Sequence, residues 1–147
     1  MSLHFYSYAR KGYDFIDEVA RELKTNDTDK AARMTRSVLR ALRHRLTIEE
    51  SFHLIAQLPM ALKSVYVDGW NVSLNFKQLD HVSDIISEVV KEDDNSAAGD
   101  FSNKTDVRNA IVAVFVVLSR HITADEMKEL VEVLPENLQL LLQEQFA

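Results

Sequence analysis

The sequence predicts an all-α protein, a single-domain helical bundle made of two pseudo-symmetric tandem units with about eight helical segments in all. Three observations predict it. Only 3 glycines and 2 prolines interrupt 147 residues, too few breakers for a many-turned sheet protein. Apolar residues recur at steps of three and four through most of the chain, the period of one helix face. Finally, the chain matches itself without gaps at an offset of 76 residues.

At that offset Val38, Leu42, Thr47, Glu50, Leu54, Leu58, Pro59 and Leu62 fall on Val114, Leu118, Thr123, Glu126, Leu130, Leu134, Pro135 and Leu138. Trp70 falls on Phe146. A shared Thr-x-x-Glu followed at a fixed distance by Leu-Pro points to duplication rather than to chance amphipathic similarity. Unit one spans about residues 4–70 and unit two about 75–147, within one domain 1–147. Further back, Phe15–Leu23 resembles His81–Val89, and the extra length of unit two falls in Glu92–Asp100, which has loop composition.

The elements follow in order. Phe5, Tyr8, Gly12, Phe15, Val19 and Leu23 line one face of a first helix. Gly12 within it costs about 1 kcal/mol relative to alanine, so the helix is expected to bend there or to begin after it. Ala31, Met34, Val38, Leu42 and Leu46 line a second helix. Thr47-x-x-Glu50 and Thr123-x-x-Glu126 both read as capping boxes. Each follows a basic cluster, Arg43-His44-Arg45 or Arg120-His121, that suits the negative end of a helix. Leu58-Pro59 and Leu134-Pro135 close one short helix and open the next. Ile111–Leu118 is rich in β-branched residues, as a buried strand would be. Its counterpart at the 76-residue offset is amphipathic, so it is expected to be a helix apolar on all sides and central to the fold.

Composition narrows the chemistry. Hydrophobic residues make up 46% and charged residues 27%, an ordinary globular balance. The absence of cysteine removes disulfides, thiolate nucleophiles and thiolate metal sites, and it suits a reducing cytoplasm. No signal-type apolar stretch opens the sequence and no apolar run approaches the length of a membrane span, so a soluble cytoplasmic protein is expected. Residues 1–73 hold 11 Lys and Arg against 9 Asp and Glu, whereas residues 74–147 hold 6 against 14. The net charge of −6 is therefore +2 in the first half and −8 in the second.

No phosphate loop, nucleophile elbow or zinc-protease stretch is present, so no catalytic residue, cofactor or metal is assigned and the expectation leans away from an enzyme. The five histidines, His4, His44, His53, His81 and His121, never fall at metal-binding helical spacing with one another. Of the acid pairs Glu49-Glu50 and Asp125-Glu126, capping accounts for one member each. The most informative polar feature is Arg33, Arg36, Arg40 and Arg43, a guanidinium stripe on the second helix. Its counterparts are Asn109, Val112, Val116 and Ser119, where charge has been replaced and core is expected. The stripe reads as a solvated face paired with Asp14, Asp17, Glu18 and Glu22, as a docking face for an acidic protein surface, or as a phosphate contact. The acidic surface could belong to a second copy, making a homodimer. Nucleic acid is a poor match for a chain of charge −6. Tyr66, Trp70 and Phe76 flank the junction, and Tyr66 and Trp70 are the candidates for an inter-unit cleft.

The span Ala31–Trp70 resembles the bacterial domain-of-unknown-function 2267 family. The resemblance rests on Val38-Leu39, Leu42, Arg45-Leu46-Thr47, Glu50, Gln57-Leu58-Pro59 and Tyr66-Val67-Asp68-Gly69-Trp70. It implies a bacterial helical protein and carries over no activity and no functional residue. The function expected from the residues is a non-enzymatic helical binding module. The alternative is a small-molecule or anion-binding domain, with or without enzymatic activity, that uses a cleft between the units.

Overall fold

The computed structural model describes residues 3–74, 78–93 and 97–146. Among them the helices are α1 (Phe5–Glu22), α2 (Thr28–Arg45), α3 (Ile48–Gln57), α4 (Met60–Val67), α5 (Val82–Glu92), α6 (Ala97–Asp100), α7 (Lys104–Leu118), α8 (Ala124–Glu132) and α9 (Glu136–Phe146), with a 3-10 turn at Val72–Leu74. No strand occurs among the described residues. The β-branched run from Ile111 is helical because α7 is enclosed by the bundle, with Ala110, Ile111, Val114, Phe115, Val117 and Leu118 all buried. The stretch expected as a loop is in part helical, since Glu92 ends α5 and residues 97–100 form the single turn of α6.

The 76-residue offset reappears in the helix starts, Thr28 with Lys104, Ile48 with Ala124 and Met60 with Glu136. Helices α2 and α7 pack on each other at the centre. The first helix of each half crosses over, α1 packing on α7 and α5 on α2. A polar clasp closes each crossing. At one, His44 Nε2 lies 2.9 Å from Glu92 and 3.6 Å from Glu88. At the other, Arg120 meets Glu18 and Glu22, and His121 Nε2 lies 2.7 Å from Glu18. Each glutamate pair is spaced i, i+4, so both carboxylates face the same neighbouring helix. The clasps align α1 with α5 at an offset of 70, one helical turn from the alignment of Phe15 with His81.

Local signals account for most boundaries. Asp27 accepts from the backbone N–H of Lys30 at 3.0 Å and starts α2. Thr47 and Glu50 close a reciprocal box at 2.9 and 3.2 Å. The second expected box is only half formed. Thr123 accepts from the N–H of Glu126, but its own N–H donates to Gln57 Oε1 at 2.7 Å, which leaves the Glu126 side chain out of the cap. Gly12 neither bends nor starts α1, which runs unbroken from Phe5 to Glu22. It lets α4 approach instead, for a Cβ at this position would stand 2.6 Å from the Cβ of Ala61.

Candidate interaction surface

Helix α2 fixes the arginine stripe, and the structure divides it. Arg33 donates from Nε and Nη2 to both oxygens of the buried Asp100, 2.9 Å each, a bidentate pair. Arg43 is itself buried and donates from Nη1 to the carbonyls of Tyr66 and Asp68, 2.8 Å each, capping the end of α4. Burial, then the neighbouring Arg40, lowers the Arg43 pKa. Arg40 reaches Asp68 at 3.3 Å. Arg36 has no ion-pair partner among the described residues, and its Nε is buried without an acceptor. Among the described residues none of the acids expected opposite the stripe is paired with it, Glu18 and Glu22 being held by Arg120 and His121. Arg33, Arg40 and Arg43 are therefore fastened within the chain.

Beside Arg33, Asp93 and Asp100 form a buried acid pair. Burial, followed by the adjacent Asp100, pushes Asp93 up to about 6, while the Arg33 fork holds Asp100 below the ordinary carboxylate range. Ser37 donates to Asp93 at 3.4 Å. Asp93 Oδ2 is buried without a donor, which adds to the penalty on the charged form.

Tyr66 and Trp70 pack against each other at the junction. Tyr66 is fully buried with its hydroxyl 2.7 Å from Ser51, and burial raises its pKa. Trp70 is half-buried and packs edge-on against Tyr66 and Phe52, with ring centroids 5.8 and 6.2 Å apart. Phe76, the third aromatic of the junction, lies outside the described residues. The cleft that does separate the halves is polar, about 440 Å³, and lined by Lys24, Thr25, Lys30, Asp106, Asn109 and Gln145 among others. Lys24 sits there with φ +57°, a left-handed turn closing α1.

A second hollow, about 670 Å³, runs between the end of α7 and helices α8 and α9, lined by Ser119, Met127, Val131, Glu132, Gln139 and Gln143 among others. At the matching place in the first half stands Arg43, whose side chain fills the space against α4, while Ser119 leaves it open. The stripe counterparts Val112, Val116 and Ser119 are half-buried and Asn109 is exposed, so this face is not the core that the sequence suggested.

The first turns of α1 form an arm. From Leu3 to Lys11 only Tyr8 is even half-buried. Leu3 is 68%, Phe5 67%, Tyr6 95% and Tyr13 71% exposed. Arg10 and Lys11 lie among them, and the first acid is Asp14. The periodicity that marked this helix took Phe5 for a core residue, because period alone cannot say how far a helix extends past its neighbours.

Among the described residues, no helix is long and apolar enough to cross a membrane. A family model described as "Uncharacterized conserved protein (DUF2267)" matches residues 12–141. No curated protein matches the chain.

Proposed function

We propose, for a chain that belongs to the DUF2267 family of uncharacterised conserved proteins, that it is a helical interaction module in which the α1 arm of one copy docks into the α7–α8–α9 hollow of a second. The observation that carries this reading is the exposed aromatic arm. Side chains of this size gain about 1.5–3 kcal/mol each when buried, and among the described residues of the same chain nothing covers them. The arm carries Arg10 and Lys11 and residues 74–147 as a whole carry 14 acids against 6 bases, which favours the encounter of two copies, while the hollow itself is lined by Met127 and Val131 with one base, Lys128, and one acid, Glu132. Reciprocal docking of two arms is a closed two-fold arrangement. Set against an association cost of several kcal/mol, it gives a dimer with a Kd on the order of micromolar. The cytoplasm is the compartment we assign to it, on the absence of cysteine.

Sedimentation velocity over about 1–100 µM protein tests this reading. The wild-type chain should pass from monomer to dimer across the range, more weakly at high salt, and Tyr6→Glu should stay monomeric. A wild-type chain monomeric throughout, or a Tyr6→Glu variant that dimerises equally, overturns it.

A second reading has its own observation. Lys24 and Lys30 line the 440 Å³ cleft together with Glu22, Asp100 and Asp106, and its volume suits a small polar ion or metabolite. Phosphate and nucleotides at millimolar concentration would then raise the melting temperature, and no shift with any of them would remove this reading.

A further inference from the structure

His53 on α3 and Glu126 and Glu129 on α8 bring one imidazole nitrogen and two carboxylate oxygens within 4.8 Å of one another. His53 and Glu129 stand 76 residues apart, as do Glu50 and Glu126, so the cluster lies where corresponding helices of the two halves face each other. Glu126 is only 5% exposed. In the first half the equivalent Glu50 accepts the backbone N–H of Thr47. In the second half Gln57 has taken the N–H that Glu126 would accept, which leaves the Glu126 carboxylate outside the cap and beside Glu129 and His53. A buried carboxylate, a second carboxylate and an imidazole thus stand within ligand distance of one another on two helices.

We propose that His53, Glu126 and Glu129 form a three-ligand site for a divalent transition cation of the zinc class. The imidazole decides the class, since magnesium and calcium prefer oxygen alone. Three protein ligands leave a fourth position for water. His53 and Glu129, 55% and 56% exposed at their side chains, leave a way in from solvent. A bound ion would tie α3 to α8 and stabilise the folded state by mass action. The other triad of the same residue types, His44 with Glu88 and Glu92, is not such a site. Its imidazole and carboxylate already meet at 2.9 Å, and Arg120 fills the corresponding role at the second crossing.

Calorimetric titration of the chelator-stripped full chain with Zn²⁺, and separately with Mg²⁺ and Ca²⁺, tests the site. One Zn²⁺ per chain is expected, with Mg²⁺ and Ca²⁺ at least about tenfold weaker. Glu126→Gln keeps the shape and removes the buried charge, so it should fold normally by circular dichroism while losing at least about tenfold in Zn²⁺ affinity, no less than changes to outer groups cause. His53→Gln should lose as much. The site is refuted by absent Zn²⁺ binding, by wild-type affinity in folded Glu126→Gln, or by a loss that follows Glu92→Gln instead.

Discussion

Replacing Gly12 by alanine tests whether α1 is seated on α4 at the distance described. An exposed helical glycine changed to alanine gains about 1 kcal/mol in stability. Here the added Cβ would stand 2.6 Å from the Cβ of Ala61, where ordinary contact is 3.4–4 Å. Both atoms sit on helical backbone with no flexible tip to yield, so α1 and α4 must part by about 1 Å, at an overpacking cost of about 1–3 kcal/mol. The two effects leave Gly12→Ala about 0–2 kcal/mol less stable, a fall in Tm of up to about 6 °C for a chain of this size. Ala61→Gly removes the opposing Cβ and should make Gly12→Ala favourable in that background. The double-mutant cycle should therefore return a coupling of about 1–3 kcal/mol by urea denaturation. A gain of about 1 kcal/mol for Gly12→Ala alone, with no coupling to Ala61→Gly, would refute the close approach.

Other perturbations read other parts of the structure. Lys24→Gly relieves a left-handed residue at the end of α1, and chemical denaturation should show it about 0.5–1 kcal/mol more stable than wild type. Arg43→Met strips the two carbonyls at the end of α4 of their buried donor, which should cost about 2–4 kcal/mol by the same assay. Asp93, raised from 3.8 to about 6 by burial, holds its proton better folded than unfolded. Its contribution favours the fold below about pH 4 and is lost as pH rises through 6. Asp93→Asn keeps a donor toward Asp100 and removes the titration, so its unfolding free energy should lose less than wild type between pH 4 and 6.

The helices were legible because each is signalled locally, by Thr47 with Glu50, by the two Leu-Pro steps and by the apolar period through Val38 and Leu42. Two features misled for the same reason, that helical periodicity repeats every turn. The match of Phe15 with His81 is one turn from the register of the clasps, and Phe5 kept the phase of a core residue although it lies on the projecting arm. The candidate site was less legible. The stripe was correctly placed on one helix, but spacing gives no hint that Arg33 meets Asp100 or that Arg43 meets the carbonyls of α4, both contacts between distant segments. Glu126 was hidden by its resemblance to a capping residue, because the competing acceptor, Gln57, comes from another helix.

The chain contains no cysteine, so a pair of introduced ones can report contact between copies without background. With Tyr6→Cys on one copy and Gln143→Cys on another, mixed at equal concentration under mild oxidation, arm-in-hollow docking predicts a disulfide-linked heterodimer that neither single variant forms with wild type. Cysteines that stay unlinked in the mixture, while sedimentation shows a dimer, would place the contact elsewhere and contradict the docking of α1 between α7, α8 and α9.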